Sequence, residues 1–151
     1  MVFLRAAKPG ELEAVSALCL RSKAVWGYDE SFMEACRAEL TITVDTLHGS
    51  RVRVAVANDR IVGVAEIVVS GPIARLEKLF VEPECMRSGV GRMLFEWCVS
   101  TTRAEGADEL VIDADPGAAE FYRRMGAFDY GSVASNSIPG RQIPRLRFDL
   151  R

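Results

Sequence analysis

The stretch LEKLFVEPECMRSGVGRMLFEWC, residues 76–98, joins an apolar run to a helical pattern through two glycines placed two positions apart. Leu79, Phe80 and Val81 are typical of a strand, and apolar residues recur at helical spacing after Gly91. The first turn of a helix carries N–H groups without backbone partners and a partial positive charge. Glycine permits a positive φ and a close approach of an anion to the backbone. The segment therefore predicts either a phosphate cradle at residues 86–91 or a tight strand-to-helix turn without a ligand.

Other phosphate-binding patterns do not fit this chain. It contains neither G-x-x-x-x-G-K-[ST] nor G-x-G-x-x-G, so a Walker loop and a dinucleotide-binding fold are not expected. Arg87 and Arg92 flank the glycines and would add positive charge to a cradle.

Composition narrows the functional class further. The 151 residues are 49% hydrophobic and 26% charged, which is typical of one globular domain spanning residues 1–151. A net charge of −2 argues against nucleic acid as the main partner. Four cysteines without a C-x-x-C pair and a single histidine argue against a metal site and favour buried free thiols. With no signal-peptide pattern and no apolar run of about 18 residues, we expect a cytoplasmic protein that does not contact the membrane.

Periodicity predicts the elements in the order β-α-α-β-β-β-α-β-α-β-β. Residues 2–7 form a strand, residues 10–23 a helix that ends near Gly27, and Asp29 or Ser31 caps a second helix. The β-branched segment TITV, residues 41–44, is predicted to be extended. Strands at 51–57, 61–69 and 73–81 then form an antiparallel set. A helix from residue 90 to near Gly106, a strand at 108–114, a helix opened by Pro116 and a final pair of strands complete the chain.

Two spaced motifs resemble the GNAT superfamily of N-acetyltransferases. Residues 76–98 are similar to motif A, an apolar strand ending in V-x-P-E, then [Q/R]-x-x-G-x-[G/A] and a helix. Residues 114–128, ADPGAAEFYRRMGAF, are similar to motif B, A-x-x-F-Y-x-x-x-G-F, with one extra residue, Ala127, before the last aromatic. The chain departs from the family at Met86, where Gln or Arg is usual, and at Asp115, where Asn is common.

The resemblance implies a fold and a cosubstrate. The fold would be α+β (mixed α/β), with a central, mostly antiparallel mixed sheet of six or seven strands, about four helices and a splayed parallel strand pair at 77–81 and 110–114. Acetyl-CoA would lie in that gap, and a primary amine would attack it directly. The implied cofactor-binding residues are Leu79, Phe80, Val81, Arg87, Ser88, Gly89, Val90, Gly91, Arg92, Asp115, Ala118 and Phe121. A backbone N–H near Phe80 or Val81 would stabilise the oxyanion.

The resemblance also gives candidate catalytic residues. Tyr122 occupies the family's general-acid position, and without the motif it would be a core tyrosine on an amphipathic helix. Glu77 is the first candidate for the base that deprotonates the amine, and Glu66 is the second. Both glutamates equally fit an ordinary solvated strand face.

The acceptor is expected against residues 10–40 and the last hairpin. Trp26 and Tyr28, beside Asp29 and Glu30, would form an aromatic, acidic pocket for an amine, or would simply pack a loop onto the core. Arg141, Arg145 and Arg147 fit the solvated face of an edge strand or a carboxylate site.

Two hypotheses of different class follow. The first is an N-acetyltransferase for a small-molecule or protein amine, and the alternative is a silent GNAT-like module that holds coenzyme A without turnover. Because the family often pairs through edge strands or outer helices, we also expect a homodimer.

Overall fold

The computed structural model describes all 151 residues, which form seven strands and five helices. The strands are β1 (Val2–Ala6), β2 (Arg51–Ala57), β3 (Arg60–Ser70), β4 (Ile73–Val81), β5 (Glu109–Asp113), β6 (Phe128–Ala134) and β7 (Gln142–Asp149). The helices are α1 (Leu12–Ala24), α2 (Glu30–Leu40), α3 (Val44–Gly49), α4 (Val90–Ala104) and α5 (Ala119–Arg124), with short 3₁₀ turns at Pro9–Glu11 and Pro83–Cys85.

All seven strands belong to one mixed sheet in the order β1-β2-β3-β4-β5-β7-β6. Every neighbouring pair is antiparallel except β4 and β5, which run parallel. The predicted mixed sheet with one parallel pair is therefore confirmed.

The parallel pair opens part-way along its length. Its register runs from Ile73 opposite Glu109 to Leu76 opposite Ile112, and β4 then continues to Val81 without a partner on that side. On the other side, Lys78 lies opposite Glu66 and Leu76 opposite Ile67, so Glu77 is the extra residue of a β-bulge. The bulge bends β4 away from β5 where their pairing ends, which leaves a gap in the sheet.

Helices cover both faces of this sheet. Val52, Val54 and Val56 of β2 pack with α1 and α2, whereas Ala55 between them belongs to the cluster that contains Leu94 of α4. This alternation follows from the period of two along a strand. The two apolar clusters fix α1 on one side of the gap and α4 on the other.

Two helix boundaries differ from the sequence-based expectation. The segment TITV is not a strand, because Thr43 caps a third helix: its side chain accepts from the Thr46 N–H, and the Thr46 hydroxyl accepts from the Thr43 N–H, each at 3.2 Å. This capping box outweighs the strand preference of β-branched residues. Helix α5 begins at Ala119 rather than at Pro116, because Asp115 holds residues 115–118 in a turn. Its carboxylate accepts from Gly117 N–H at 2.9 Å, and its carbonyl accepts from Ala118 N–H at 2.8 Å.

The last hairpin is also placed differently from the expectation. Strand β7 lies between β5 and β6, so β6 and not β7 forms the edge of the sheet. Arg145 makes two hydrogen bonds to Asp113 of β5, at 2.7 and 3.1 Å, and the Arg147 Nε lies 2.9 Å from Glu109. These two arginines are therefore not the solvated face of an edge strand, because neighbouring carboxylates of β5 neutralise them.

Candidate active site

The gap between β4 and β5 opens into a cavity of about 870 Å³. Its walls come from the end of α1, the second half of α2, the unpaired half of β4, the start of α4, the end of β5 with the turn that follows it, α5, and the connection between β6 and β7. Both sequence motifs contribute to this one cavity. Most of the predicted site residues line it, namely Trp26, Glu77, Leu79, Phe80, Val81, Arg87, Gly89, Gly91, Arg92, Asp115, Ala118, Phe121 and Tyr122.

The start of α4 presents a set of free backbone donors. The N–H groups of Arg87, Gly89, Val90, Gly91 and Arg92 donate no hydrogen bond within the protein. Gly89 is the N-cap residue at φ +95°, with open space where a Cβ would stand. A residue other than glycine rarely adopts this conformation, so Gly89 turns the chain so that it enters the helix with these amides exposed.

Two of the predicted anion-binding residues serve the structure in other ways. Ser88 contributes no donor, because its N–H lies 3.3 Å from the Cys85 carbonyl and its hydroxyl also donates to that oxygen. Gly91 is needed for packing as well as for its free amide, since a Cβ there would stand 3.3 Å from the ring of Phe121. Motif A and motif B therefore touch at this point.

The unpaired half of β4 offers a second set of backbone donors. The Glu82 N–H donates to Val62 of β3 at 2.8 Å, and the Val81 N–H donates to Ser22 Oγ of α1 at 3.3 Å. Because successive N–H groups of a strand point to opposite edges, the Leu79 N–H faces the gap with that of Val81, and the Phe80 N–H faces β3. This geometry corrects one expectation, since the Phe80 amide does not point into the cavity.

Tyr122 lies deep in the wall formed by α5. Its side chain is 6% exposed and its ring packs 5.9 Å from Phe95 and 5.1 Å from Phe121, measured between centroids. The hydroxyl makes no hydrogen bond to the protein, although the residue lines the cavity. Burial raises the pKa of the Tyr122 phenol, so the group stays protonated at neutral pH.

The two candidate bases have different surroundings. Glu66 is buried and accepts hydrogen bonds from Lys78 at 2.7 Å and from Ser50 at 2.9 Å. Glu77 forms no ion pair and faces the cavity from the bulge of β4. Partial withdrawal from water, and secondarily the charge of Glu66, raise the pKa of Glu77. Glu77 is thus the free carboxylate of the two, and Glu66 serves an internal pair.

The predicted acceptor pocket is aromatic, and two cations and one carboxylate, that of Asp115, border its ring pair. The Tyr28 ring stacks on Phe32 with centroids 3.9 Å apart, and its hydroxyl donates to Asp115 at 2.7 Å. Lys23 and Arg141 lie beside the same ring pair. Asp29, which we expected in this pocket, instead caps α2 by accepting from Phe32 N–H at 2.8 Å.

Trp26 lines the cavity by packing against the turn after β5. Its indole lies against Gly117, where an added Cβ would stand 2.7 Å from the ring. The tryptophan is half-exposed at the mouth of the cavity, directly beside the turn that carries Asp115.

The family model described as an acetyltransferase (GNAT) domain matches residues 19–133. The chain belongs to the GNAT acetyltransferase family. The resemblance that the two motifs indicated is thereby confirmed.

Solved GNAT structures share the fold over nearly the whole chain. A GCN5-related N-acetyltransferase from Rhodopseudomonas palustris has a TM-score of 0.80 at 24% identity, over 98% of this chain and 95% of its own. The PaiA N-acetyltransferase from Thermoplasma acidophilum, solved with coenzyme A, has a TM-score of 0.80 at 16% identity over 99% of both chains. The ribosomal-protein-S18-alanine N-acetyltransferase from Escherichia coli has a TM-score of 0.73 at 16% identity, over 99% of this chain and 94% of its own. No curated protein sequence matches this chain significantly.

Two further observations on this GNAT domain concern metal ligands and membrane-spanning helices. No three histidine, cysteine, aspartate or glutamate side chains are grouped as ligands for a metal ion. None of the five helices is long and apolar enough to cross a membrane.

The structure adds residues to the GNAT site that the motifs did not contain. Ser22 is a buried polar residue of α1 that contacts the Val81 amide, and Lys23 is its neighbour in the chain. Arg141 reaches the cavity from the connection between β6 and β7. Sequence patterns gave no indication of Ser22 or Lys23, because both occupy ordinary positions in an amphipathic helix. Val90, which the motif included, has its side chain in the core and offers only its amide.

Proposed function

We propose that this chain is an N-acetyltransferase of one domain, residues 1–151, that moves the acetyl group of acetyl-CoA to a primary amine in a ternary complex. The observation that carries the proposal is that four of the five residues with free amides at the start of α4, namely Arg87, Gly89, Gly91 and Arg92, line one cavity together with the unpaired edge of β4. The first set suits a diphosphate, and the second suits the amide groups of a pantetheine arm.

The residues around the cavity fit coenzyme A in charge and in their free backbone donors. The free N–H groups near Gly89 would hold the diphosphate, with Arg87 and Arg92 nearby to add positive charge. The Leu79 amide, which faces the gap, would pair with the pantetheine arm as in an added strand. Acetyl-CoA supplies the acetyl group as a reactive thioester, and the remaining chemistry belongs to the acceptor and to side chains of this protein.

Glu77 would act as the general base. An amine arrives largely as its ammonium form and must lose a proton before its nitrogen attacks the carbonyl carbon. Glu77 forms no ion pair and projects from the bulge beside the gap, so its carboxylate can accept that proton directly or through water. Its raised pKa makes it a better proton acceptor than an ordinary glutamate.

Hydrogen-bond donors lie near both atoms of the thioester on which negative charge would develop, the carbonyl oxygen and the sulfur. As the C–N bond forms, negative charge grows on the carbonyl oxygen, and the Val81 N–H with the Ser22 hydroxyl beside it can stabilise that charge. As the C–S bond breaks, the sulfur takes the electron pair, and Tyr122 can donate its proton to it. The raised pKa of Tyr122 keeps this proton in place until charge appears on the sulfur.

The test of this proposal is thiol release from acetyl-CoA with a panel of primary amines. We expect release with at least one amine and a loss of kcat of about 10²- to 10⁴-fold in Tyr122→Phe. The variant should stay folded and still bind coenzyme A in calorimetry, because the Tyr122 hydroxyl makes no hydrogen bond within the protein and the proposed diphosphate site lies at the start of α4. Tyr130→Phe is the matched control, since Tyr130 is exposed on β6. Binding of coenzyme A without release for any amine would instead support the silent module.

A further inference from the structure

Four polar side chains meet at one atom on the wall of the cavity. The Asp115 Oδ2 accepts from the Tyr28 hydroxyl at 2.7 Å and from Lys23 Nζ at 3.2 Å, and it lies 3.8 Å from Arg141 Nη2. Arg141 Nη2 also donates to the Tyr28 oxygen at 2.6 Å. The cluster joins α1, the loop before α2, the turn after β5 and the connection between β6 and β7.

The charges of this cluster do not balance. Two cations, Lys23 and Arg141, face a single carboxylate, so one positive charge is in excess. Their side chains are only 15% and 20% exposed, so water screens the excess incompletely. The Nε and Nη1 groups of Arg141 have no acceptor within the protein, and Asp115 is the only acceptor for Lys23. Unused donors beside an uncompensated charge favour an anionic group of a ligand.

Aromatic packing holds the guanidinium in place. The Arg141 Cζ lies 5.1 Å from the Tyr28 ring centroid and 4.8 Å from that of Phe32, and the two rings stack on each other. A planar guanidinium fixed in this way can present two N–H groups to a carboxylate at a low cost in side-chain entropy. Tyr28 is therefore a positioning residue for Arg141.

The same cavity has two carboxylates without a cation. Glu77 projects from β4, and Glu39 reaches the cavity from α2, where the Ser137 hydroxyl contacts it. Neither glutamate forms an ion pair in the structure, and both also line a smaller adjoining cavity. The smaller cavity is also lined by Arg75 and Arg145, but both arginines lie beside Asp113. The combined space therefore offers two carboxylates without an ion pair in one part and an excess of positive charge in another.

We propose that the acceptor carries a carboxylate as well as its amine, and that Lys23 and Arg141 bind this carboxylate while Glu77 and Glu39 face the ammonium group. This inference rests on the proposed function and names its substrate class, a small amino acid-like zwitterion. A phosphate of coenzyme A offers a similar anion. The diphosphate, however, has its own donors at residues 87–92, which leaves Lys23 and Arg141 for the acceptor.

The experiment compares acceptors that differ only in the carboxylate. Thiol release is measured with a panel of L-amino acids and with the matching amino-acid amides. Because a hydrogen bond to a charged partner contributes about 1.5–3 kcal/mol, we expect kcat/KM to be about 10- to 100-fold higher for the acid of the best pair. Amides turned over as well as or better than the acids would overturn the inference and leave the proposed function standing.

Substitutions of Lys23 and Arg141 test whether these two cations cause the preference for the acid over the amide. In Arg141→Gln and Lys23→Met, KM for the acid should rise about 10- to 100-fold and the preference over the amide should disappear, with Arg141→Lys recovering part of it. Arg51→Gln is the control for loss of an arginine charge, because Arg51 pairs with Glu105 through two hydrogen bonds outside the cavity. If the variants weaken calorimetric binding of coenzyme A and leave the acid preference intact, the cations serve a phosphate and the inference is wrong.

A binding measurement separates this inference from the proposed reaction. The acids and amides are titrated calorimetrically into the wild-type protein saturated with coenzyme A. Selective binding of an acid without turnover would refute the acetyl-transfer proposal and support the carboxylate site. Absence of binding and of turnover for every acid would overturn the inference. The melting temperature of each variant confirms that it is folded.

Discussion

Among single residues, Glu66 and Glu77 allow the sharpest comparison, since they lie on neighbouring strands and carry the same group. In the wild-type protein, kcat/KM should fall at pH values below the raised pKa of Glu77, because the carboxylate is then protonated. Glu77→Gln should lower kcat/KM and remove this fall at low pH. Because the folded protein holds this proton more tightly than the unfolded chain, Glu77 favours folding at low pH. That advantage disappears as the pH rises through the raised pKa. At neutral pH the variant should therefore lose no stability in urea unfolding.

Glu66→Gln should show the opposite pattern. It leaves Lys78 buried without a countercharge, and breaking a buried pair costs about 3–5 kcal/mol. The same unfolding and pH–rate measurements check both variants. The base would be Glu66 instead if Glu66→Gln removed the fall of kcat/KM at low pH and Glu77→Gln left the pH dependence unchanged.

Residue types at motif positions were predictable, but their partners were not. The glycines and Tyr122 stand at fixed distances within two local motifs, so the sequence alone placed them beside the gap. Asp115 was named among the cofactor-binding residues, but its contacts to Tyr28 and Lys23 were not foreseen. Those contacts join positions about 90 residues apart in the chain, which no local pattern encodes.

Among the elements, α4 carries the decisive feature, the turn at its N-terminus. Gly89→Glu should abolish calorimetric binding of coenzyme A, because the new side chain places bulk and negative charge where the diphosphate is expected. Gly106→Glu is the matched control, since Gly106 has φ +89° at the other end of α4 and likewise has nothing within 4 Å of an added Cβ. Both variants should carry a similar conformational cost of about 1 kcal/mol. Equal affinity in the two variants would show that coenzyme A binds elsewhere.

Element boundaries show where local patterns stop being sufficient. The long amphipathic helices and the β2–β3 hairpin were predicted to within a few residues, because their periodicity persists over many positions. The third helix was missed, since its six residues include β-branched ones and its stability depends on the capping box at Thr43. The start of α5 was misplaced because Asp115 competes for the amides that a helix beginning at Pro116 would use.

For the whole molecule, the sheet order was the least predictable property. The predicted terminal hairpin of β6 and β7 is present, but the sequence did not show that β7 also pairs with β5 and leaves β6 outside. Arg145 and Arg147 face Asp113 and Glu109 of β5, and this charge complementarity is visible only once the strands are adjacent. Because β7 lies between β5 and β6, the connection before β7 lies against the cavity and Arg141 contacts Tyr28.

The exposed edge strand leads to the prediction for the assembled protein. Phe128 and Tyr130 of β6 are 47% and 55% exposed, and Arg147 lies over both rings on the same face. The outer edge of β6 pairs with no other strand of the chain, and such edges accept a further strand. We therefore expect a homodimer that joins two β6 edges and sediments at twice the chain mass of 16.6 kDa.

Paired substitutions test this contact. Phe128→Lys with Tyr130→Lys should shift sedimentation to the mass of one chain, because like charges would face each other across the two β6 edges. Phe3→Lys on β1, the opposite edge, is the control and should leave the dimer intact, since Phe3 is exposed to a similar degree. A wild-type mass of one chain would refute the dimer, and a dimer that persists in the β6 variant would move the contact to the outer helices.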